Sequence, residues 1–226
     1  MNKINSRFGK RARLYIDITN SCNLSCPFCC ANSSSMNTKF MSLELFKTII
    51  ENDLHEEVEV QIEGGEPTIN AELWKILSYC NNASKVKKIT LLHNCTKIDE
   101  CIEYFNKTEF CKIVEFKLSL NFYLLSIMPD LIARIENAHN KLKNNLFVKV
   151  HVNARYREDN NDDNNMIKSI FLSSIPASRI FVCDFCNYGR AKTFEEPCSE
   201  WLGYASDGTF FGADTDARFK YEKELH

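Results

Sequence analysis

The chain has 226 residues, enough for one large domain or one domain with a small appendage. Lys+Arg total 28 and Asp+Glu 30, so the formal net charge of −2 gives no reason to expect a nucleic-acid partner. No apolar run approaches the ~20 residues of a membrane span. Met1 to Arg13 is basic but lacks the apolar stretch of a secretory signal, so a cytoplasmic protein with reduced thiols is expected. There are 11 cysteines, an odd number that excludes complete pairing. Reduced cysteines at this density point to metal or redox chemistry.

Leu14–Thr19, apolar and β-branched, reads as the first strand. A cysteine-rich loop follows from Asn20 to about Asn37. Ser42 can cap a helix running to about Leu54, with Leu43, Phe46 and Ile50 along one face. Val58–Ile62 alternates as a second strand and ends at Gly64-Gly65. Ala71–Asn81 reads as helix, Lys88–His93 as a third strand, Asp99–Asn106 as a short helix and Lys112–Asn121 as a fourth strand. Pro129 suits the first turn of a helix reaching Lys143. Leu146–Asn153 is a fifth strand, Glu158–Asn165 an acidic turn, Met166–Ser173 a helix and Arg179–Phe185 a sixth strand. Strands alternating with helices predict an α/β fold with a parallel sheet and right-handed crossovers. Six repeats are too few for a closed eight-fold barrel, so the expected fold is a partial (β/α)6 TIM-like barrel. Residues 1–186 form that core, and 187–226 a small C-terminal hairpin extension. In such folds the chemistry gathers at the carboxyl ends of the strands.

The first strand leads into Cys22-Asn-Leu-Ser-Cys26-Pro-Phe-Cys29-Cys30, three cysteines at C-x3-C-x2-C and a fourth beside them. A zinc site usually draws its ligands from two separated pairs, and no fourth partner is obvious here. Three thiolates on an iron–sulfur cubane would leave one iron open for an outside ligand. A zinc knuckle is the alternative. The second strand ends in Gly64-Gly65-Glu66-Pro67, where two glycines let a ligand approach the backbone closely.

In order, spacing and strand position, these two elements resemble the radical S-adenosylmethionine (radical SAM) enzymes, over about residues 14–185. The resemblance implies that Cys22, Cys26 and Cys29 ligate a 4Fe–4S cluster whose open iron is chelated by S-adenosylmethionine. It implies that Gly64, Gly65 and Glu66 hold the methionine amino group and that Phe28 lies near the adenine. Reductive cleavage would then give a 5′-deoxyadenosyl radical that abstracts hydrogen from a substrate in a dry cavity, in an anaerobic setting. A reductant such as flavodoxin or ferredoxin is the implied electron source.

Other strand ends supply further candidates. The third ends in His93-Asn94-Cys95, where many members of the family carry Thr-Asn-Gly. Cys95 reads either as a hydrogen-atom donor at the cavity mouth or as a small apolar filler. Ser119 and Asn121, after the fourth strand, correspond to polar groups that contact the ribose or methionine carboxylate in the family. His151, Asn153 and Arg155 fall on one face of the fifth strand, and Asn153 and Arg155 are expected to line the cavity. His139 reads as an exposed helix residue. Cys80, Cys101 and Cys111 read as buried apolar residues.

The C-terminal segment has Gly189-Arg190-Ala191, Cys198 and a Ser206-Asp207-Gly208 turn. It resembles, in short form, the cysteine-rich SPASM/twitch extension of peptide-modifying radical enzymes. Ala213 stands where that pattern has a second cysteine. Cys183, Cys186 and Cys198 could still hold a second cluster, but a metal-free hairpin lidding the cavity with Trp201 and Phe210 is favoured. The resemblance points to a peptide substrate that is cross-linked, epimerised or otherwise modified. Only about 13 residues precede the first strand, so a separate peptide-recognition protein is an expected partner unless the barrel itself recognises the peptide. Rival readings are a glycyl-radical activating enzyme, a nucleoside- or pterin-modifying radical enzyme, and a non-catalytic iron–sulfur module.

Overall fold

β4 (Ile113–Leu120) buries every second side chain, Val114, Phe116, Leu118 and Leu120, with half-buried Glu115, Lys117 and Ser119 between them. The pattern repeats across the sheet in this computed structural model, which describes residues 11–155, 165, 174–183, 202–212 and 221. β1 (Arg11–Asp17), β2 (Glu57–Glu63), β3 (Val86–His93), β5 (Val148–Arg155) and β6 (Ile180–Cys183) run parallel to β4 in one sheet. The order is β6-β5-β4-β3-β2-β1. Leu14, Ile16, Val60, Ile62, Ile89 and Leu91 join Phe116 and Leu118 in a continuous core with the helices. The sheet and helices form the expected partial barrel.

Helices fill the crossovers. In α1 (Leu43–Asn52) the Ser42 side chain accepts the Leu45 N–H at 3.2 Å, and Phe46, Ile49 and Ile50 face the sheet. α2 (Leu73–Asn82) buries Leu73, Ile76, Leu77 and Cys80. α3 (Ile98–Lys107) has Asp99 and Glu100 in its first turn and Lys107 in its last, both favourable to the helix dipole. Its Phe105 ring meets Phe110 at 5.8 Å and Phe116 at 5.0 Å between centroids.

Some expectations change. A short helix, α4 (Phe122–Ile127), follows β4 directly, and Asn121 is its cap, accepting the Leu124 N–H at 2.9 Å. α5 (Leu131–Leu142) starts after Asp130, so Pro129 precedes the helix instead of occupying its first turn. His139 is buried on the core side of α5, and Cys111 is exposed, while Cys80 and Cys101 are buried as expected. β7 (Leu202–Tyr204) adds to the free edge of β1 in parallel, and β8 (Phe210–Gly212) pairs antiparallel with β7. Among the described residues the hairpin therefore extends the sheet at its β1 edge. Phe210 is 50% exposed and packs on Tyr204. The Glu158–Asn165 turn apart from Asn165, the Met166–Ser173 helix, Trp201, Ala213, Cys186, Cys198 and the Cys183 side chain lie outside the described residues. No helix among the described residues is long and apolar enough to cross a membrane.

The strand positions that alternate with the core residues form the other face of the sheet. Register sets Tyr15, Gln61, Thr90, Glu115 and Lys149 side by side, and Leu92, Lys117 and His151 one step further towards the carboxyl ends. Ser119, Asn153 and Phe181 come next, and Arg155 beyond them. This face is largely polar.

Candidate active site

Past β1 the chain stays extended and is held from both sides. On one side Ile18 N–H donates to Glu63 O at 3.0 Å, Gly65 N–H to Thr19 O at 2.8 Å and Glu66 N–H to Ser21 O at 2.9 Å. On the other, Met41 N–H donates to Ile18 O at 2.8 Å and Cys22 N–H to Ser34 O at 3.0 Å. Asn70, just past Gly64–Pro67, closes the seam: its amide donates to Ile18 O at 2.7 Å and to Met41 O at 2.9 Å.

The two glycines are needed for this approach. A Cβ on Gly64 would lie 2.1 Å from Thr19 O, and one on Gly65 1.9 Å from Ser21 O. Gly64 also has φ +129°, a region that side chains disfavour. The glycine pair thus fixes the three residues that lead into Cys22.

Cys22 is buried, while Cys26 and Cys29 are partly exposed. Leu24 N–H donates to the Cys22 sulfur at 3.4 Å, and Ser33 N–H to the Cys29 sulfur at 3.3 Å. The Asn94 side chain reaches the Cys22 sulfur at 3.8 Å. Burial pushes the Cys22 thiol up to about 12, and the neighbouring Glu66, Cys29 and Cys26 push the same way. Such a group becomes a thiolate at neutral pH only beside a cationic centre. Among the described residues no three His, Cys, Asp or Glu side chains converge on a point that one metal ion could occupy. The donors on the Cys22 and Cys29 sulfurs suit thiolates that ligate a cluster, in which each thiolate takes a different iron. Beside the loop, buried Asn20 has an amide nitrogen without a partner among the described residues, a donor available to a bound group.

Glu66 is fully buried. One carboxylate oxygen accepts the Thr68 N–H at 3.1 Å and the Thr68 hydroxyl at 2.6 Å; the other accepts the Asn94 N–H at 2.8 Å. His93 Nε2 lies 3.5 Å from Oε1. The side chain thus meets three donors inside the protein.

Cys95 needs correction. Its side chain does not face the cavity mouth: it is fully buried in the core, and its sulfur meets Ser119 O at 3.5 Å. The cause is backbone geometry, φ +71°, with the Cys95 N–H donating to His93 Nδ1 at 2.8 Å. Asn121 is likewise buried, and its side-chain oxygen caps α4.

Phe28 packs on the aromatic start of α4, with its ring 5.3 Å from Phe122 and 6.4 Å from Tyr123. Sequence reading missed these two aromatics, since they fall in the unrecognised helix. Ser119 and Asn153 are register partners at the strand ends, with Arg155 one step beyond. Beneath them, His151 stacks on Phe181 at 5.5 Å and Lys117 lies over the same ring at 4.8 Å. Burial holds the His151 pKa below its usual value although Glu115, 3.9 Å away, favours the charged form. Burial disfavours the charge of Glu115, but the Lys88 ammonium at 2.6 Å outweighs it and keeps that pKa low.

Residues 16–155 match the family model described as Radical SAM superfamily. The chain is 32% identical over 127 residues to a 7,8-dihydro-6-hydroxymethylpterin dimethyltransferase of Methanocaldococcus jannaschii, covering 54% of this chain and 24% of the relative. It is 32% identical over 103 residues to a probable GTP 3′,8-cyclase of Methanococcus vannielii, covering 44% of this chain and 34% of the relative. The chain thus spans a quarter to a third of the length of these relatives. Among solved structures, SuiB of Streptococcus suis bound to S-adenosylmethionine superposes with a TM-score of 0.61 at 20% identity, over 83% of this chain and 44% of SuiB. SuiB bound to its precursor peptide SuiA gives 0.59 at 19% identity, over 78% and 40%.

Proposed function

The chain belongs to the radical SAM superfamily, and on that premise we propose that it is an enzyme that cleaves S-adenosylmethionine reductively and takes hydrogen from a peptide. Cys22, Cys26 and Cys29 would hold a 4Fe–4S cluster. When bound, the cluster supplies the electron that breaks the sulfonium C–S bond and releases a 5′-deoxyadenosyl radical. The observation that carries the reading is the pinned Cys22 loop, held by Gly64 and Gly65 at the carboxyl end of the sheet, with donors on two of its sulfurs.

The protein's own groups would bind and orient. Backbone groups of Gly64–Glu66 are available to the methionine amino group. Ser119 and Asn153, side by side at the strand ends, are suited to ribose or carboxylate, and Arg155 to a carboxylate. Phe28, Phe122 and Tyr123 form an aromatic wall suited to the adenine. The polar inner face would take the substrate and exclude water from it.

The hairpin turn at Asp207-Gly208 and the likeness to the fold of SuiB support the peptide reading. A pterin or purine nucleotide is the second reading. It is supported by the two methanogen relatives and by the His151–Phe181 stack with Lys117 beside it, a surface suited to a flat anionic ring. In either reading a flavodoxin or ferredoxin would act as reductant, and the cytoplasm is the proposed compartment. A peptide substrate would be recognised by a separate protein or by the barrel. We favour one cluster over a second on Cys183, Cys186 and Cys198.

Anaerobic reconstitution followed by reduction should yield 5′-deoxyadenosine. Alanine at Cys22, Cys26 or Cys29 should abolish it, and Cys30→Ala should retain it. Full turnover by Cys26→Ala would overturn the assignment. Deuterium transfer into 5′-deoxyadenosine from a labelled peptide, as opposed to a labelled pterin or nucleotide, separates the two substrate readings.

A further inference from the structure

The loop after β3 reaches across the sheet and closes on the cysteine loop. Asn94 Nδ2 donates to Asn23 Oδ1 at 2.9 Å and approaches the Cys22 sulfur at 3.8 Å. Asn94 Oδ1 accepts the Thr96 N–H at 3.0 Å and the Thr96 hydroxyl at 2.6 Å. Asn23 Nδ2 completes the ring by donating to the Thr96 hydroxyl oxygen at 2.8 Å. The backbone N–H of Thr96 can only donate, so the atom it meets must be the amide oxygen. That fixes the amide's orientation and leaves both Nδ2 hydrogens facing Asn23 and the Cys22 sulfur.

The amide is also held from behind. The Asn94 backbone N–H donates to Glu66 Oε2 at 2.8 Å, and the turn past it is set by Cys95 N–H on His93 Nδ1 at 2.8 Å. Glu66 in turn is held by both donors of Thr68. A continuous set of short contacts therefore runs from the second motif, through Asn94, to a sulfur of the first.

We propose that Asn94 is a positioning residue for the iron–sulfur cluster, held by Glu66 and Thr96 so that its side-chain N–H donates to the Cys22 thiolate and raises the cluster's reduction potential. The proposal rests on the radical SAM reading above. A donor on a ligand sulfur draws negative charge from the cluster and favours the state with one more electron. Hydrogen bonds to ligating groups and to cluster sulfurs are among the means by which a protein sets such potentials.

The test is a potentiometric titration of the reconstituted full chain, read by the spectrum of the reduced cluster and without substrate. Asn94→Asp keeps the acceptor for Thr96 and removes the donor. It should lower the reduced-to-oxidised ratio about tenfold at a fixed potential, equal to a shift of about 59 mV to more negative values for one electron. Asn94→Ala should shift it in the same direction. Iron content should stay at the wild-type level in at least one of the two. Iron loss in both variants with an unchanged melting temperature would also support a role at the sulfur. An unshifted potential in a loaded variant would overturn the proposal, as would loss of the fold in both variants, which would make Asn94 a scaffold residue. A wild-type chain that takes up no iron would overturn the cluster reading together with this proposal, whereas a loaded wild type with unresponsive variants would overturn this proposal alone.

Discussion

Glu66 accepts the backbone N–H of Asn94 at 2.8 Å, across 28 positions of sequence. Its other oxygen takes the N–H and hydroxyl of Thr68. The acidic residue of the second motif therefore ties β2 to the loop after β3, whatever its backbone does for a cofactor. Glu66→Gln would turn an N–H2 towards a donor and leave one buried donor unpaired. A buried unsatisfied donor costs about 1–3 kcal/mol. The metal-free chain should lose that much in urea denaturation. Unchanged stability together with weakened S-adenosylmethionine affinity would show that the side chain serves the cofactor instead.

Gly64 and Gly65 sit where a methyl group would meet a backbone oxygen, 2.1 Å and 1.9 Å away. Neither neighbour is a flexible side chain that could swing aside. Overpacking of this kind costs about 1–3 kcal/mol, and Gly64 adds a backbone penalty at φ +129°. Gly65→Ala should therefore reduce both melting temperature and iron uptake, by displacing residues 19–21 and with them Cys22. Wild-type iron uptake in Gly65→Ala would mean that the seam does not position the loop.

The alternation of β4 and the apolar faces of α1 and α2 made most of the sheet legible in advance, because helix-covered strands repeat with a period of two. α4 was not legible: it is six residues long, and its cap, Asn121, continues the strand pattern. β7 and β8 are three residues each, too short for any periodicity, and only the pairing of β7 with the edge of β1 and of β8 with β7 defines them. At the site, cysteine spacing pointed to the proposed ligands because it is local. The work of Glu66 and Asn94 was hidden because their partners come from other strand ends. Asn70 carried no sequence signal beyond its place three residues after Pro67.

Cys95 lies in the core with its sulfur on Ser119 O, and burial pushes its thiol well up. A hydrogen-atom donor must meet the substrate, and this sulfur has no exposed surface. Cys95→Ala should lower stability by about 1 kcal/mol, as a small buried truncation does. It should leave hydrogen transfer into product at the wild-type level. Turnover that stops after hydrogen abstraction in this variant would restore Cys95 as a donor.

His93 is completely buried, and burial lowers its pKa although Glu66 opposes the shift. Its Nδ1 accepts the Cys95 N–H, so the native ring is neutral. An unfolded histidine titrates near about 6.5. Between the lowered native value and that point, the unfolded chain binds a proton that the folded chain does not. Stability therefore rises with pH across this window. The contribution is fully present above about pH 6.5 and is lost as pH falls towards the native value. His93→Asn can still offer an oxygen to the Cys95 N–H but cannot take up the proton. Thermal melts of the metal-free chain at about pH 7.5 and about pH 5.5 should show a larger fall for wild type than for His93→Asn. Carboxylate titrations are common to both proteins and cancel in the comparison. Equal falls would mean that protonation of His93 is not linked to unfolding, and that the ring is reached by protons in the native state.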